Sequence, residues 1–137
     1  MKNKTLTTLL LVAVFSVITF NSFGQNQMQL NQEANNRYKQ AEIELNKTYQ
    51  KILKMYASDT TFIARLRTSE RIWIKFRDAE LLVKYPPREA YYYGSIQPMC
   101  EANYLEQLTR ERIKTLRVWI EGIEEGDVCA GSVRMKQ

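Results

Sequence analysis

The sequence predicts a small all-α domain of three helices, with a long loop between the second and third and an irregular C-terminal tail. Three observations carry that expectation. Apolar side chains recur at helical spacing in three long segments. Ser58-Asp59, Pro86-Pro87 and Gly122 mark where those segments start and stop. No stretch alternates polar and apolar residues as a half-buried strand would, and there is no internal repeat and no heptad long enough for a coiled coil.

The chain of 137 residues is one domain by length, and its start reads as a leader. Lys2 and Lys4 precede an apolar run from Leu6 to Phe20, and "NSFGQ" places small residues at Ser22 and Gly24. This is the layout of a signal peptide over residues 1–24, cut after Gly24, ahead of a helical domain over residues 25–137. The other reading is an uncleaved anchor, for which the run is short against the ~20 residues of a membrane span. No cysteine follows the cleavage region, so lipid attachment is not expected. The implied location is the periplasm or the exterior, with no membrane span after cleavage.

The first helix is expected from about Gln27 to Ala57. Ala34, Tyr38, Ala41, Leu45, Tyr49, Ile52 and Tyr56 share one narrow face, and Gln40, Glu44, Lys47, Lys51 and Lys54 lie opposite. Ser58 or Asp59 caps a second helix that runs to about Lys84, where Pro86 and Pro87 stop it. Its apolar sector is wide: Phe62, Leu66, Ile72, Trp73, Phe76, Ala79 and Val83 on one side, extended by Ile63, Ile74 and Leu81. Such a sector predicts packing against two neighbours, leaving Arg67, Arg71, Lys75 and Asp78 outside. The third helix is expected after Ser95 as its cap, with Pro98 in the first turn. It would bury Leu105, Leu108, Leu116, Trp119, Ile120 and Ile123, and Gly122 and Gly126 mark its end.

Four polar residues interrupt the apolar faces: Arg77 and Glu80 on the second helix, Thr109 and Arg112 on the third. An unpaired buried charge costs several kcal/mol, so a structural network joining Arg77, Glu80 and Arg112 is the expectation, against a functional polar site.

Composition removes much chemistry. There is no histidine, so His-based triads, HExxH zinc sites and the commonest proton shuttle are absent. No glycine-rich phosphate loop occurs, and the carboxylates are scattered, so no glycosidase pair can be picked out. No catalytic residue, metal or cofactor is expected. Loss of Lys2 and Lys4 with the leader leaves a net charge of about +3 from 20 basic and 15 acidic side chains, too weak and mixed to argue for nucleic acid. Cys100 and Cys129 are the two cysteines. In an oxidising compartment an even count suggests a disulfide, worth about 3 kcal/mol on the chain-entropy account, and two free buried thiols are the alternative.

The stretch "REAYYYGSIQPMC" (88–100) opens as an aromatic, turn-rich loop between two helical segments and ends on Cys100. Arg88, Tyr91, Tyr92 and Tyr93 either form a protruding binding loop or fold back to lid the helix ends, with Gly94 allowing the turn.

"YKQAEIELNKTYQ", "SERIWIKFRDAE", "GSIQPM" and "LTRERIKTL" follow one another in that order. Together they resemble the lysozyme inhibitor LprI-like family over roughly Asn35 to Leu116. The family signature falls on Tyr38, Leu45, Asn46, Tyr49, Trp73, Arg77, Asp78, Gly94, Ser95, Leu108, Thr109 and Arg112. The helical faces put Tyr38, Leu45, Tyr49, Trp73 and Leu108 in the core, so much of the signature is scaffold. The chain departs from the family where members often carry two cysteines, at positions matching Leu81 and Tyr104. The resemblance implies an exported bacterial envelope protein whose partner is a protein, a lysozyme-type glycosidase. The alternative is a non-inhibitory periplasmic binding or interaction module that uses the same loop or the basic strip of the second helix.

Overall fold

A computed structural model describes the backbone of residues 2–136 and the side chains of residues 25–136. The expected leader, residues 1–24, and its cut after Gly24 lie outside the residues whose side chains are described. The helices are α1 (Lys2–Met55), α2 (Thr60–Lys84) and α3 (Gln97–Glu121), the all-α arrangement that the apolar spacing predicts. Among the described residues, no helix is long and apolar enough to cross a membrane.

The boundaries have local causes. Asp59 caps α2, its carboxylate accepting from the Phe62 amide at 2.8 Å. At the other end the Tyr85 amide donates to the Leu81 carbonyl at 2.8 Å. Pro86 and Pro87 carry no further N–H, and Pro86 keeps Tyr85 out of helical geometry. Ser95 does not cap α3. The N-cap is Ile96, without a side-chain bond, while the Ser95 carbonyl accepts from Asn31 Nδ2 at 3.0 Å. Pro98 sits in the first turn as expected.

Polar ties fix the directions. Asn31 reaches Ser95, Arg37 reaches Asn103 and Glu106, and Glu44 reaches Arg110 and Arg117. Numbers rise together, so α1 and α3 run parallel. Arg77 of α2 meets Glu42 of α1, and Glu70 meets Arg112 of α3, so α2 runs antiparallel to both.

The closest helix pair is α1 with α3, and small side chains explain it. Ala34, Ala41 and Thr48, seven residues apart, are buried along α1, and Ala102 and Thr109, also seven apart, are buried along α3. Rows of small residues let two helix backbones approach. The main apolar cluster follows below them: Leu45, Ile52 and Tyr56 of α1, Leu66 of α2, Ile113 and Leu116 of α3. Tyr56 stacks on Phe62 at 4.3 Å between centroids, and its hydroxyl donates to the Trp119 carbonyl.

The wide apolar sector expected of α2 is not buried as a whole. Only Leu66 and Glu70 are buried on this helix, with Phe62, Ile63 and Trp73 partly covered against the core. Ile72, Phe76, Ala79 and Val83 face solvent. The reason is geometric. Because α1 and α3 close on each other, α2 meets them along one edge rather than sitting in a broad trough.

The tail has more order than its composition suggests. It leaves α3 at Gly122, turns at Asp127–Ala130 and Ala130–Val133, and returns to form a parallel bridge between Ile123 and Met135. Gly122 has φ +75, and a Cβ there would lie 2.8 Å from the Arg134 carbonyl oxygen. Both the left-handed backbone and the returning chain therefore require glycine. Gly122→Ala is expected to destabilise the domain by about 2 kcal/mol and to release the tail, read as rapid amide exchange at Ile123 and Lys136.

Candidate partner-binding site

The loop over residues 85–96 is built on one inward tyrosine. The Tyr93 hydroxyl donates to the Pro86 carbonyl at 3.0 Å, and the ring stands edge-on to Tyr85 at 5.8 Å. The bond spans the loop, and the Asn31 contact at Ser95 pins its far end to α1. Tyr93 thus folds back as a lid.

Its neighbours do the opposite. Tyr91 is 95% exposed and has φ +67, a left-handed conformation uncommon for a bulky residue. Tyr92 packs its edge on Tyr93 at 4.8 Å, and the Arg88 guanidinium lies over the Tyr92 ring at 5.7 Å. The amides of Tyr92 and Gly94 close the turn by bonding to Glu89 and Tyr91 carbonyls. Gly94, at φ +69 with open space around it, serves the turn and makes no close approach. Of the four sequence-predicted loop residues, the fold therefore places Arg88, Tyr91 and Tyr92 outward and Tyr93 inward.

Cys100 does not help to hold this loop. It lies in the first turn of α3, whereas Cys129 is in the tail beyond the other end of that helix, and both are free. More than twenty residues of helix at about 1.5 Å each put the two ends of α3 ~30 Å apart, whereas a disulfide needs Cα atoms within about 7 Å. The expected Cys100–Cys129 bond is thus corrected to two thiols. Native protein is expected to take up two alkyl groups without reductant, exposed Cys129 before half-buried Cys100, read by intact mass.

The family-signature residues gather elsewhere, around Trp73. The Arg77 guanidinium lies over the Trp73 ring at 5.5 Å and Arg112 at 5.8 Å. Each has its own carboxylate. Arg77 donates to Asp78 at 2.8 Å and to Glu42 at 3.2 Å. Arg112 donates to Glu70 at 2.8 and 3.0 Å, and to Ser69 Oγ. The expected Arg77–Glu80–Arg112 network does not form. Glu80 instead accepts from the Tyr104 hydroxyl of α3 at 3.2 Å. Thr109 is not part of any network either. It is fully buried in the α1–α3 seam, and its hydroxyl has no partner.

Tyr38 completes the cluster by donating to Glu42 at 2.7 Å. Burial, reinforced by that bond, pushes its hydroxyl well above the usual phenol range. Burial opposes the Arg77 charge, yet the bond to Asp78 and the nearby Tyr38, Asp78 and Glu42 outweigh it and raise its pKa. A cleft of about 270 Å³ opens on this cluster, lined by Glu42, Leu45, Asn46, Tyr49, Glu70 and Arg77. Its charges are already neutralised in pairs, which suits a scaffold more than a reactive centre. Leu108 is half-buried beside buried Thr109, again a packing position. Among the described residues, no group of three or more metal-ligating side chains occurs.

Glu42 and Glu70 are the residues that sequence reasoning missed. For Glu70 a signal existed. On a helical wheel it falls beside Arg77 and near Leu66, within the covered edge of α2, whereas Glu80 falls at that edge's margin.

At the positions where the family resemblance implies a disulfide, Leu81 and Tyr104, the chain has a non-covalent tie. Tyr104 bonds Glu80, and the Lys84 ammonium lies 3.8 Å from the centre of the Tyr104 ring. The α2–α3 junction is held at the same place by other means.

Comparison with known proteins agrees with this signature. Residues 21–116 match the sequence model of the family described as Lysozyme inhibitor LprI. The uncharacterized protein R02472 of Rhizobium meliloti (strain 1021) is 32% identical over 111 residues, covering 72% of this chain and 77% of that one. No solved structure gives a significant match. The match includes the Trp73 cluster and the 85–96 loop and stops before the tail that carries Cys129. The chain is a member of the lysozyme inhibitor LprI family.

Proposed function

We propose that the protein is an exported, non-catalytic inhibitor that binds a muramidase-type glycosidase through Arg88, Tyr91 and Tyr92. The observation that carries this reading is Tyr91, almost fully exposed and held left-handed at the tip of a loop braced at both ends. A residue kept in that conformation without packing in return is supported by what it does outside the domain. Muramidase-type enzymes act on a long sugar-binding cleft with two carboxylates. A guanidinium can pair with such a carboxylate, and exposed tyrosine rings can stack where sugars would lie. A loop already fixed in shape loses less entropy on docking.

Turbidity assays with a panel of muramidases and killed cells test the reading. Inhibition of at least one is expected, and Arg88→Ala is expected to weaken it by about tenfold or more with an unchanged melting temperature. Tyr91→Ala should behave likewise, whereas Tyr93→Ala should lower the melting temperature. No inhibition across the panel, or inhibition indifferent to Arg88, Tyr91 and Tyr92, would sink it. Residues 1–24 act in this reading as the export signal, and the site of action is the periplasm or the exterior.

A further inference from the structure

The outward face of α2 is apolar over its C-terminal half, and nothing among the described residues covers it. Ile72, Phe76, Ala79 and Val83 follow at intervals of four, three and four residues and so form one stripe, which Leu82 widens. Ile72 is 62%, Phe76 51%, Leu82 57% and Val83 75% exposed. Single exposed apolar side chains are ordinary, but a contiguous stripe of this kind marks an interaction surface.

Charge beside the stripe is mostly positive, and the one carboxylate on that edge, Asp78, is paired with Arg77. Arg65 continues its line toward the N-terminus of α2, and Arg71 and Lys75 run along one edge, all three exposed. Arg71 donates to Thr68 Oγ1, and none of the three forms an ion pair among the described residues. The carboxylates of α2 are engaged elsewhere: Glu70 with Arg112, Asp78 with Arg77, Glu80 with Tyr104. The face therefore offers apolar bulk and cations with no free anion.

We propose that this face docks on an anionic phospholipid surface. The stripe enters the boundary between headgroups and acyl chains around Phe76, and Arg65, Arg71 and Lys75 reach lipid phosphates. Three observations favour this occupant. A second copy would set the same three cations against their equivalents, with only Asp78, already paired with Arg77, to answer them. A protein partner draws its energy from filling pockets, yet neither the cleft beside Arg77 nor the one of about 410 Å³ between α1 and α3 includes a stripe residue. A fluid lipid layer needs no pocket. From Ile72 to Val83 the stripe is only ~17 Å long, which suits a helix lying in the interface plane with cations snorkelling to the headgroups.

Co-sedimentation of the exported chain with vesicles of one part phosphatidylglycerol to three parts phosphatidylethanolamine tests the proposal. The protein is expected to pellet with these vesicles and much less with pure phosphatidylcholine. Lys75→Glu should weaken binding by about fivefold or more, and Phe76→Ser by about tenfold or more. Both positions are exposed, so melting temperatures should hold, and both variants should inhibit a muramidase as the parent does. This outcome is therefore separable from failure of the inhibitor reading. No pelleting, or equal pelleting of parent and variants, overturns the proposal. So does binding to an acidic amphipathic peptide in place of vesicles, or a concentration-dependent dimer that Phe76→Ser abolishes, since either gives the face to a protein.

Discussion

Glu70→Ala is expected to destabilise the domain by about 3–4 kcal/mol, read as a lowered midpoint in denaturant at unchanged slope. Glu70 and Arg112 have side chains only 10% and 13% exposed, and two short bonds from the guanidinium meet one carboxylate oxygen. Removing the carboxylate leaves a nearly buried cation with Ser69 Oγ and the Trp73 ring as its remaining partners. Most of the loss comes from that stranded charge, not from the attraction itself. The double variant Glu70→Leu/Arg112→Met should consequently be more stable than Glu70→Ala, because it strands nothing. Glu80→Leu is the contrast. It gives up one 3.2 Å bond from Tyr104 at a half-exposed site, for about 1 kcal/mol or less. If Glu80→Leu proved the costlier change, Arg112 would not depend on Glu70 as the geometry requires.

How much of this was legible in the sequence differs between helices, for physical reasons. The buried face of α1 is the one its spacing predicts, because α1 meets α3 along a single seam, although Glu44, expected opposite, flanks that seam and pairs with Arg110 and Arg117. On α2 the same reading overshoots. Periodicity says which residues share a face, but it does not say whether a neighbour covers it, and Ile72, Phe76 and Val83 are uncovered because α1 and α3 pack on each other. The seam itself was the missing information, and it is written in small residues, Ala34, Ala41, Ala102 and Thr109, that attract less notice than leucines.

The polar residues follow the same logic. That Arg77 and Arg112 need carboxylates could be derived from their place on apolar faces. Which carboxylates answer them depends on the angle at which α2 crosses its neighbours, and it turned out to be Glu42 and Glu70. In the loop, three consecutive tyrosines are chemically alike. Only the turn geometry, with Tyr91 at positive φ and Gly94 after it, sends Tyr93 inward and Tyr91 outward. The cysteines show the limit of counting. An even number behind an export signal suggests a pair, but a helix of fixed rise between Cys100 and Cys129 decides against it.

Trp73→Ala is expected to cost about 3 kcal/mol, at the lower end for a core tryptophan because the ring is only partly covered. The indole carries more than its own contact with the apolar cluster. Both guanidiniums lie within 6 Å of its centre, so its loss removes two cation–π contacts and lets water reach the Arg77 and Arg112 ion pairs. Trp73→Phe keeps an aromatic face for the cations and should recover about half of the loss. Phe76→Ala, three residues on but facing solvent, should change stability by no more than about 0.5 kcal/mol. The decisive comparison sets stability against inhibition. Variants at Trp73 and Glu70 should lower the melting temperature while folded molecules keep their affinity for the muramidase, and variants at Arg88 and Tyr91 should do the reverse. Weakened inhibition by fully folded Trp73→Phe would move the binding surface from the loop to the cleft beside Arg77, and the family signature would then be a recognition site instead of a scaffold.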